Sequence, residues 1–446
     1  MNENFSIIWS TRQIRNQQLS VYLTCAVKQL KGMGIKPGDR IAICDDNSVE
    51  YIILLLALWQ IRAVAAPINP RWPEKTIISY ASRISARHIF YSAEIKRAVC
   101  FDARQQVEAA KLQQIELDQE VTIIATSGSS GEAKAAVHSW GNHYYSARGS
   151  AEVIPLSATD RWVLSLPLYH VSGLAITVRC LIAGSGLVIV NDSDLILAIK
   201  QGKATHLSMV AMQLQKLLID ENNHALLASL KCILLGGSSI PKALIEEAVK
   251  LGLNIYLSYG LTEMSSQVAT GKVGSDIKVN VKILPYRELT ISPDGEILVR
   301  GEVLFKGYIT GNKLSLPSTI DHWFPTGDMG YLDKTGNLSV TGRRDSMFIS
   351  GGENIHPEEI EKALLTIKGI EQAIVVPKED KEYGQRPIAF IKFIAEPVPE
   401  GEIIQSLQAV LPKFKIPIAF LPWPQSLITQ SLKISRQEFL KYSHRR

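Results

Sequence analysis

Residues 121–134 read Val-Thr-Ile-Ile-Ala-Thr-Ser-Gly-Ser-Ser-Gly-Glu-Ala-Lys, an apolar and β-branched run followed by a segment rich in glycine and hydroxyl groups. The apolar run predicts a buried β-strand, so the next segment leaves the strand at an end where ligands often bind. Glycine allows several backbone N–H groups to point at one centre, and Ser, Thr and Lys side chains add further donors. The stretch therefore indicates either a phosphate-holding loop or an ordinary solvated turn.

The Walker A phosphate loop does not fit this stretch. That motif requires Lys and then Ser or Thr directly after its second glycine, whereas here Gly131 is followed by Glu132 and Lys134 by Ala135. The role of the loop has to be decided by the rest of the chain.

Length and composition limit the class of protein. The 446 residues are too many for one compact core and allow two or three domains. A hydrophobic fraction of 46% and a charged fraction of 20% are typical of globular proteins. The net charge of +5 is mild, and no cluster of Lys and Arg predicts a nucleic-acid-binding face, so anionic small molecules are the compatible partners.

The cysteines and the apolar segments predict a cytoplasmic location. The five cysteines are scattered and odd in number, which argues against a disulfide framework or a zinc site and favours a reducing compartment. The first eleven residues lack the pattern of an export signal. The most apolar stretch, residues 51–59, is far shorter than the roughly 20 residues that span a bilayer and predicts a buried helix.

Helical and strand patterns alternate along most of the chain, which predicts a layered α/β protein. From about residue 281 short strands with turn signals at 293–295 and 334–336 predict a β-rich subdomain. We expect a large domain over residues 1–344 and a small α+β domain over residues 345–446, with the boundary at Asp345. The predicted helices are 17–33, 50–60, 242–251 and 357–365, and the predicted strands are 39–44, 63–68, 161–166, 186–190, 231–235, 253–257, 373–376 and 388–394.

Five further clusters carry polar chemistry. Residues 259–263 (Tyr-Gly-Leu-Thr-Glu) follow a predicted strand, and residues 323–328 (Trp-Phe-Pro-Thr-Gly-Asp) predict a carboxylate on a tight turn. Residues 342–345 (Gly-Arg-Arg-Asp) pair guanidinium groups with a carboxylate, and residues 350–361 form a glycine turn that opens an acidic helix. The last cluster is Lys-Ile-Ser-Arg at 433–436. Each is common alone, but their joint occurrence in this order is specific.

With these motifs the chain resembles the adenylate-forming superfamily, which contains acyl-CoA synthetases, luciferases and the adenylation domains of peptide synthetases. The resemblance spans most of the chain. It implies a large amino-terminal domain of stacked sheets and a small carboxy-terminal domain that swivels about Asp345. It also implies Mg²⁺ as cofactor and ATP and coenzyme A as co-substrates.

The resemblance assigns roles to individual residues. It implies that Thr262 contacts the α-phosphate, that Glu263 ligates Mg²⁺ and that Lys433 bridges the reacting carboxylate and the α-phosphate. Leu432 precedes Lys433 where the family generally has glycine, which departs from its pattern. The turn Ser350, Gly351 and Gly352 would line the tunnel for the pantetheine thiol. The implied ATP-binding residues are Thr126, Ser127, Gly128, Ser129, Ser130, Gly131, Lys134, Gly236, Gly237, Tyr259, Gly260, Asp328 and Arg343.

Residues 140–147 and 160–173 resemble those of acid–CoA ligases whose acid carries an aromatic ring and two carboxylates. Such an acid needs a partner for the carboxylate that does not react, because a buried unpaired charge is costly. Arg179, within an apolar run, is our candidate; the alternative is a core arginine paired with a structural carboxylate. His170 resembles the aromatic gate of the acyl pocket, or is a hydrogen-bonded core histidine. Ser265 and Ser266 are further candidates for lining the pocket.

Three functions remain open from the sequence. The first is an acid–thiol ligase for an aromatic dicarboxylic acid. The second is another aryl- or fatty acyl-CoA synthetase, and the third is a nucleotide-binding relative without catalysis. The expected partners are small molecules; no nucleic acid and no membrane insertion are expected, and a homo-oligomer is compatible with the sequence.

Overall fold

The computed structural model describes residues 3–99, 114–126, 133–190, 194–237, 240–316, 321–351, 353–380, 382–427 and 436–443. Up to residue 126 the elements are β1 (Ser6–Trp9), β2 (Arg12–Ile14), α1 (Asn16–Gly32), β3 (Arg40–Ile43), α2 (Val49–Gln60), β4 (Val64–Pro67), α3 (Glu74–Arg83), β5 (His88–Phe90), α4 (Ser92–Val99) and β6 (Glu120–Thr126).

The middle of the chain continues the alternation of helices and strands. Its elements are β7 (Lys134–Ser139), α5 (Trp140–Ala151), β8 (Arg161–Leu164), α6 (Val171–Ala183), β9 (Gly186–Ile189), α7 (Leu195–Gly202), β10 (His206–Met209), α8 (Ala211–Leu218), α9 (His224–Ala228), β11 (Cys232–Leu235), α10 (Lys242–Lys250), β12 (Ile255–Leu261) and β13 (Ser266–Lys272).

The last part is richer in strands. It contains β14 (Lys282–Ile283), β15 (Arg287–Ile291), β16 (Glu296–Gly301), β17 (Gly307–Thr310), β18 (Lys313–Ser315), β19 (Phe324–Leu332), β20 (Leu338–Arg343), β21 (Phe348–Ser350), β22 (Glu353–Ile355), α11 (Pro357–Leu364), β23 (Ile370–Asp380), β24 (Gly384–Phe393), α12 (Glu400–Gln408), β25 (Phe420–Pro422) and α13 (Arg436–Ser443). Short 3₁₀ helices cover Glu221–Asn223, Thr262–Met264, Arg344–Ser346, Lys413–Lys415 and Gln425–Leu427.

The described strands form four sheets. One has nine strands in the order β14-β13-β12-β11-β10-β8-β9-β1-β2, and a second has seven in the order β18-β17-β7-β6-β4-β3-β5. A four-stranded sheet follows the order β15-β16-β19-β20. The last sheet joins β22-β21-β24-β23, with β25 pairing to β24. The expected layered α/β fold with a β-rich part after residue 281 is confirmed, although β17 and β18 extend the seven-stranded sheet.

The core lies between the two large sheets. One continuous cluster of buried side chains contains Ile41 of β3, Val121 of β6 and Trp162 of β8, together with the apolar faces of α1, α2 and α6. Helix α2 is apolar all round, and its residues from Val49 to Trp59 other than Glu50 are buried. Each large apolar side chain moved out of water contributes roughly 1.5–3 kcal/mol. This explains why α2 is a core helix, as its sequence predicted.

Two strand predictions were wrong in detail. Strand β12 continues to Leu261, so Tyr259 and Gly260 lie within the strand and do not follow it. The reason is non-local, because β13 pairs antiparallel to β12 and extends it past an irregularity between Tyr259 and Gly260. Asp328 likewise lies within β19 and not on a tight turn; Gly327, with φ +74°, supplies a local kink inside that strand.

Candidate active site

Three of the predicted ATP-binding residues, Tyr259, Asp328 and Arg343, meet where strands β12, β19 and β20 converge. The Tyr259 hydroxyl donates to Oδ2 of Asp328 over 2.7 Å, and Nη1 of Arg343 donates to Oδ1 over 2.9 Å. Strands β19 and β20 enforce this contact, because Asp328 lies directly opposite Arg343 in their antiparallel register. A carboxylate has about four lone-pair sites, so Asp328 keeps acceptor capacity for two ligand hydroxyl groups.

The protonation states at this corner follow from burial. Burial raises the pKa of Asp328, an effect that Arg343 and the Tyr259 hydroxyl partly offset. Burial and the neighbouring Asp328 carboxylate raise the pKa of Tyr259 well above its usual value. Tyr259 therefore remains a hydrogen-bond donor at neutral pH. Arg343 also donates from Nε to Oδ1 of Asp345 over 3.2 Å, which joins the corner to the expected hinge.

Gly236 and Gly237 lie beside the same corner. They follow β11, which runs parallel to β12, and a Cβ on Gly236 would lie 3.2 Å from the Ser258 carbonyl oxygen. Gly237 has φ +87°, which side chains rarely adopt. The chain can pass this close to the strand that carries Tyr259 because both residues lack side chains. Such a flat backbone surface could pack against a planar base.

A second cluster joins Lys134, Tyr308 and Glu263. The Tyr308 hydroxyl donates to Oε1 of Glu263 over 2.6 Å, and Nζ of Lys134 lies 5.1 Å from the centre of the Tyr308 ring. The Tyr308 pKa is raised by burial and by the Glu263 carboxylate, so its hydroxyl keeps its proton. Tyr308 thus connects the predicted phosphate-loop lysine to the predicted metal ligand.

Glu263 fits the magnesium role in its chemistry. Mg²⁺ is commonly held by one or two carboxylates together with substrate phosphates and water, so a complete protein cage is not needed. Consistently, the described residues contain no group of three or more His, Cys, Asp or Glu side chains arranged to hold a metal. The second oxygen of the Glu263 carboxylate is the group that could reach a phosphate-bound ion.

Buried histidines support the turn that carries Thr262. Nε2 of His138 donates to the Thr262 carbonyl oxygen over 2.7 Å, and His143 bridges Oγ1 of Thr122 and Oγ of Ser265 over 2.7 and 2.8 Å. Burial lowers the pKa of His138 to about 4 and that of His143 well below its usual value, so both rings are neutral. The network holds a turn whose backbone is strained.

The strain lies at Ser265 and Ser266, which have φ +53° and +102°. Ser265 is fully buried and its hydroxyl is engaged by His143, whereas Ser266 is partly exposed. Of the two candidate pocket serines, Ser266 therefore has the freer side chain. Gly260 permits the turn, because a Cβ there would collide with the Ser266 carbonyl oxygen.

Arg179 lies on α6 and is only 5% exposed. Its Nη2 donates to Oε1 of Gln267 over 2.6 Å, its guanidinium lies 5.2 Å from the Trp162 ring centre, and its Nε has no partner among the described residues. Burial lowers its pKa to about 10, which leaves it charged at neutral pH. The alternative of a structural carboxylate partner is not found within the described part of the chain.

His170 begins the same helix. It precedes Val171 as the amino-terminal cap, and its ring centre lies 4.7 Å from that of Tyr169. Arg179 follows nine residues later, about 13 Å along the helix axis at 1.5 Å per residue. The start of helix α6 and its last turns therefore carry the two acyl-site candidates.

The predicted thiol-tunnel turn lies in the last sheet. Gly351, with φ +58°, joins β21 to β22, and its N–H donates to the Tyr383 carbonyl oxygen over 2.9 Å. A Cβ on Gly351 would lie 2.8 Å from the Tyr383 ring, so glycine is required there. Ser350 is buried, while Gly352 lies outside the described residues.

Two sets of predicted residues also lie outside the described part of the chain. They are the loop residues Ser127, Gly128, Ser129, Ser130 and Gly131, and the carboxy-terminal Lys433. Thr126 and Lys134, which flank the loop, are paired across the antiparallel hairpin of β6 and β7. The hairpin therefore fixes where the loop starts and ends.

Arg436, the first residue of α13, is held by three side chains of the last domain and the expected hinge. Arg436 donates to Oε2 of Glu361 over 2.7 Å, to Oε1 of Glu358 and to Oγ of Ser346 over 2.8 Å. Ser346 directly follows the expected hinge residue Asp345. The sequence singled out Arg436 only as a member of the cluster at 433–436 and gave no sign of these partners. It did not single out Tyr308, His138 or Gln267 by a role of their own, because none has a distinctive local pattern.

This arrangement of strands and polar corners is that of an enzyme that binds a nucleotide and an acid, and the chain belongs to the AMP-binding enzyme family. The family model for AMP-binding enzymes matches residues 7–309, and that for the AMP-binding enzyme C-terminal domain matches residues 359–433. More particularly, the chain is similar to 2-succinylbenzoate–CoA ligases. That of Oceanobacillus iheyensis is 35% identical over 415 residues, 87% of this chain and 86% of the relative. That of Haemophilus influenzae is 34% identical, covering 96% and 92%.

Solved structures give the same result. An arginine-to-lysine variant of E. coli MenE with bound OSB-AMS superposes with a TM-score of 0.85 at 28% identity, covering 99% of this chain and 95% of that chain. The o-succinylbenzoate CoA synthetase (MenE) from Bacillus subtilis in complex with the acyl-adenylate intermediate OSB-AMP gives a TM-score of 0.81 at 29% identity, covering 94% and 91%. The Bacillus subtilis protein has also been solved in complex with ATP and magnesium ion.

Proposed function

We propose that this protein is an o-succinylbenzoate–CoA ligase, which joins o-succinylbenzoate to coenzyme A with ATP, through an acyl adenylate, in menaquinone biosynthesis. AMP and pyrophosphate are released. The observation that carries the substrate assignment is Arg179, a buried cation beside the turn at Ser266 whose hydrogen-bond partner is a neutral amide. The ring carboxylate of the acid supplies the negative charge that this guanidinium lacks.

In the first step the succinyl carboxylate attacks the α-phosphorus of ATP and pyrophosphate leaves. The transition state spreads charge over phosphoryl oxygens, so positioned donors supply most of the catalysis. Lys134 and the loop at 127–131 hold the β- and γ-phosphates, and Thr262 contacts the α-phosphate. Lys433 bridges the attacking carboxylate and the α-phosphate as a compact charge on a long stem.

The remaining nucleotide contacts follow from the site geometry. Asp328 accepts the ribose hydroxyls while Tyr259 and Arg343 fix its carboxylate, and Gly236 and Gly237 border the adenine. Glu263, oriented by Tyr308, would hold Mg²⁺. When bound, the ion neutralises phosphate charge and orients the leaving pyrophosphate.

In the second step the thiolate of coenzyme A attacks the acyl carbonyl carbon and AMP leaves. We place the domains at residues 1–344 and 345–446, with rotation about Asp345 bringing the turn at Ser350 and Gly351 to the thiol. A thin pantetheine arm needs close backbone approach, which glycine permits. Arg436, which donates hydrogen bonds to Ser346, Glu358 and Glu361, fixes the start of α13 three residues after Lys433.

The partners of this protein are its small-molecule substrates, o-succinylbenzoate, ATP and coenzyme A. We also propose that the reaction takes place in the cytoplasm. The described part of the chain contains no helix that is both long and apolar enough to cross a membrane.

The proposed function is tested by pyrophosphate exchange with a panel of acids. We expect exchange with o-succinylbenzoate at least tenfold above that with benzoate or a fatty acid, because neither of the latter brings a second carboxylate to Arg179. A tenfold difference corresponds to about 1.4 kcal/mol. Turnover of benzoate or a fatty acid without turnover of o-succinylbenzoate would assign a different acyl-CoA synthetase. Absence of exchange with every acid would favour a non-catalytic relative.

A separate prediction concerns Tyr308. The substitution Tyr308→Phe removes the hydroxyl that orients Glu263 and keeps the ring beside Lys134. We expect the Mg²⁺ concentration for half-maximal adenylation to rise roughly tenfold, since a group that orients a metal ligand typically contributes that much. Titration of Mg²⁺ in the exchange assay measures it. Tyr331→Phe, at a tyrosine that is 55% exposed, is the matched control. An unchanged magnesium requirement would contradict the role of Tyr308.

A further inference from the structure

A second buried arginine lies on the other side of Gln267. Arg287 begins β15 and is 6% exposed, and among the described residues its guanidinium donates hydrogen bonds only to backbone carbonyl oxygens. It donates from Nε to Pro285 over 3.0 Å, from Nη1 to the main chain of Gln267, and from Nη2 to Tyr145 over 3.4 Å and to Ser146 over 3.5 Å. Gln267 therefore accepts a hydrogen bond from Arg179 at its side-chain oxygen and one from Arg287 at its backbone oxygen.

Neither guanidinium has a carboxylate partner within the described residues. The ion pairs found there involve other arginines, and the groups that contact Arg179 and Arg287 are an amide, carbonyl oxygens and the Trp162 ring. Burial lowers the pKa of Arg287 to about 9, and the like charge of Arg179 contributes further to this lowering. Both groups still carry a proton at neutral pH.

Two buried positive charges without a counter-ion are unfavourable for a folded protein. Carbonyl dipoles satisfy the N–H groups of Arg287 but do not cancel its charge, and proteins normally pair such groups with carboxylates. The positive charges of Arg179 and Arg287 are therefore not balanced by a negative side chain among the described residues. An anion that binds beside Arg179 would reduce the repulsion between the two guanidinium groups. A glutamate at position 267 would provide that anion permanently, because Oε1 already lies 2.6 Å from Arg179.

We propose that Gln267 and Arg287 are specificity-determining residues that restrict this site to acids with a second carboxylate. Gln267 holds Arg179 in place without neutralising it. Arg287, whose three guanidinium nitrogens all donate to carbonyl oxygens, acts on the acid through its charge, which strengthens the attraction of the cluster for an anion. This inference rests on the proposed function and adds to it two residues beyond Arg179.

The test compares two acids that differ by one carboxylate: o-succinylbenzoate and 4-oxo-4-phenylbutanoate, which lacks the ring carboxylate. The measured quantity is the ratio of kcat/KM for the diacid to that for the monoacid. We expect this ratio to fall roughly tenfold in Arg287→Gln and roughly a hundredfold in Gln267→Glu, since the second variant places a full opposing charge in contact with Arg179. Arg287→Lys keeps the charge and should keep most of the ratio.

Controls separate charge from structure. Arg300→Gln removes an arginine from the neighbouring strand β16, where its side chain is 38% exposed, pairs with Glu288 and stacks on Trp323, and should leave the ratio unchanged. Gln267→Glu is isosteric and gains an ion pair, so it keeps the test valid if Arg287→Gln does not fold. The KM for ATP monitors the integrity of the nucleotide corner in every variant.

The outcomes distinguish the two proposals. If the wild-type protein activates the diacid but Arg287→Gln and Gln267→Glu lose both acids in equal proportion, the residues are structural and the inference is wrong. If the wild-type protein does not activate the diacid, the proposed function fails and the inference fails with it. A selective loss of the diacid in either variant, with an unchanged KM for ATP, supports the inference.

Discussion

Replacement of Lys433 by alanine is expected to lower the rate of adenylation by roughly a thousandfold, the effect of removing a well-placed donor from charge that develops in a transition state. Thioester formation from preformed o-succinylbenzoyl adenylate should change far less, because the proposed rotation about Asp345 would then present a different face of the small domain to the site. Pyrophosphate exchange measures the first half-reaction, and thioester release from supplied adenylate measures the second.

The hydrogen bonds that Arg436 donates within the described residues do not involve Lys433, so the Lys433→Ala variant tests catalysis and not folding. Arg436 is tied to Glu358 and Glu361, so truncation of a side chain three residues earlier should leave the small domain folded. Lys441→Ala, at an exposed lysine on α13, is the matched control and should change neither half-reaction. Equal loss of both half-reactions in Lys433→Ala would refute the role assigned to this lysine.

The second large effect is expected for Arg179→Leu. We predict that the KM for o-succinylbenzoate rises roughly a hundredfold or more while the KM for ATP stays nearly constant, because the variant leaves the ring carboxylate buried without a partner. Leucine removes an unneutralised charge from a buried site, so the fold should tolerate the change. Steady-state kinetics with each substrate varied in turn gives both constants.

The proposed contact between Arg179 and the ring carboxylate can be tested with a control variant. Arg148→Leu replaces an exposed arginine on α5 and should leave both constants unchanged. If Arg179→Leu keeps a normal KM for the diacid, Arg179 is a core residue whose partner is simply Gln267. If it raises the constants for both substrates together, the change has disturbed the fold and not the acid pocket alone.

The sequence was sufficient for the elements whose signals are local. Helix α2 and strands β3, β6 and β11 were predicted within about two residues, because continuous apolar runs specify buried elements in α/β proteins. The turns near Gly295 and Gly336 were also predicted correctly, since glycine at positive φ is itself a local signal.

The parts that depend on strand pairing could not be predicted. Whether Tyr259 lies in a strand depends on β13, and the contact between Asp328 and Arg343 depends on the register of β19 against β20. Asp328 reads as a turn residue in the sequence because Thr-Gly-Asp is typical of turns, yet the long hairpin keeps it in the sheet.

Residues without a motif were missed for a related reason. Tyr308 lies 45 positions from Glu263, and Arg287 lies 20 positions from Gln267. Their roles come from packing between sheets, and an isolated Tyr or Arg in a strand is not distinctive. Arg287 had no distinctive signal, because β15 also contains Glu288 and Thr290, whereas Arg179 stood out within an apolar run.

The proposed ligase activity depends on formation of the acyl adenylate. The most direct measurement is mass spectrometry of the products formed from o-succinylbenzoate, ATP and Mg²⁺ with coenzyme A withheld. We expect enzyme-bound o-succinylbenzoyl adenylate together with pyrophosphate, and conversion of the adenylate to the thioester and AMP when coenzyme A is added. Failure to detect this adenylate under conditions in which another acid is adenylated would contradict the proposed activity.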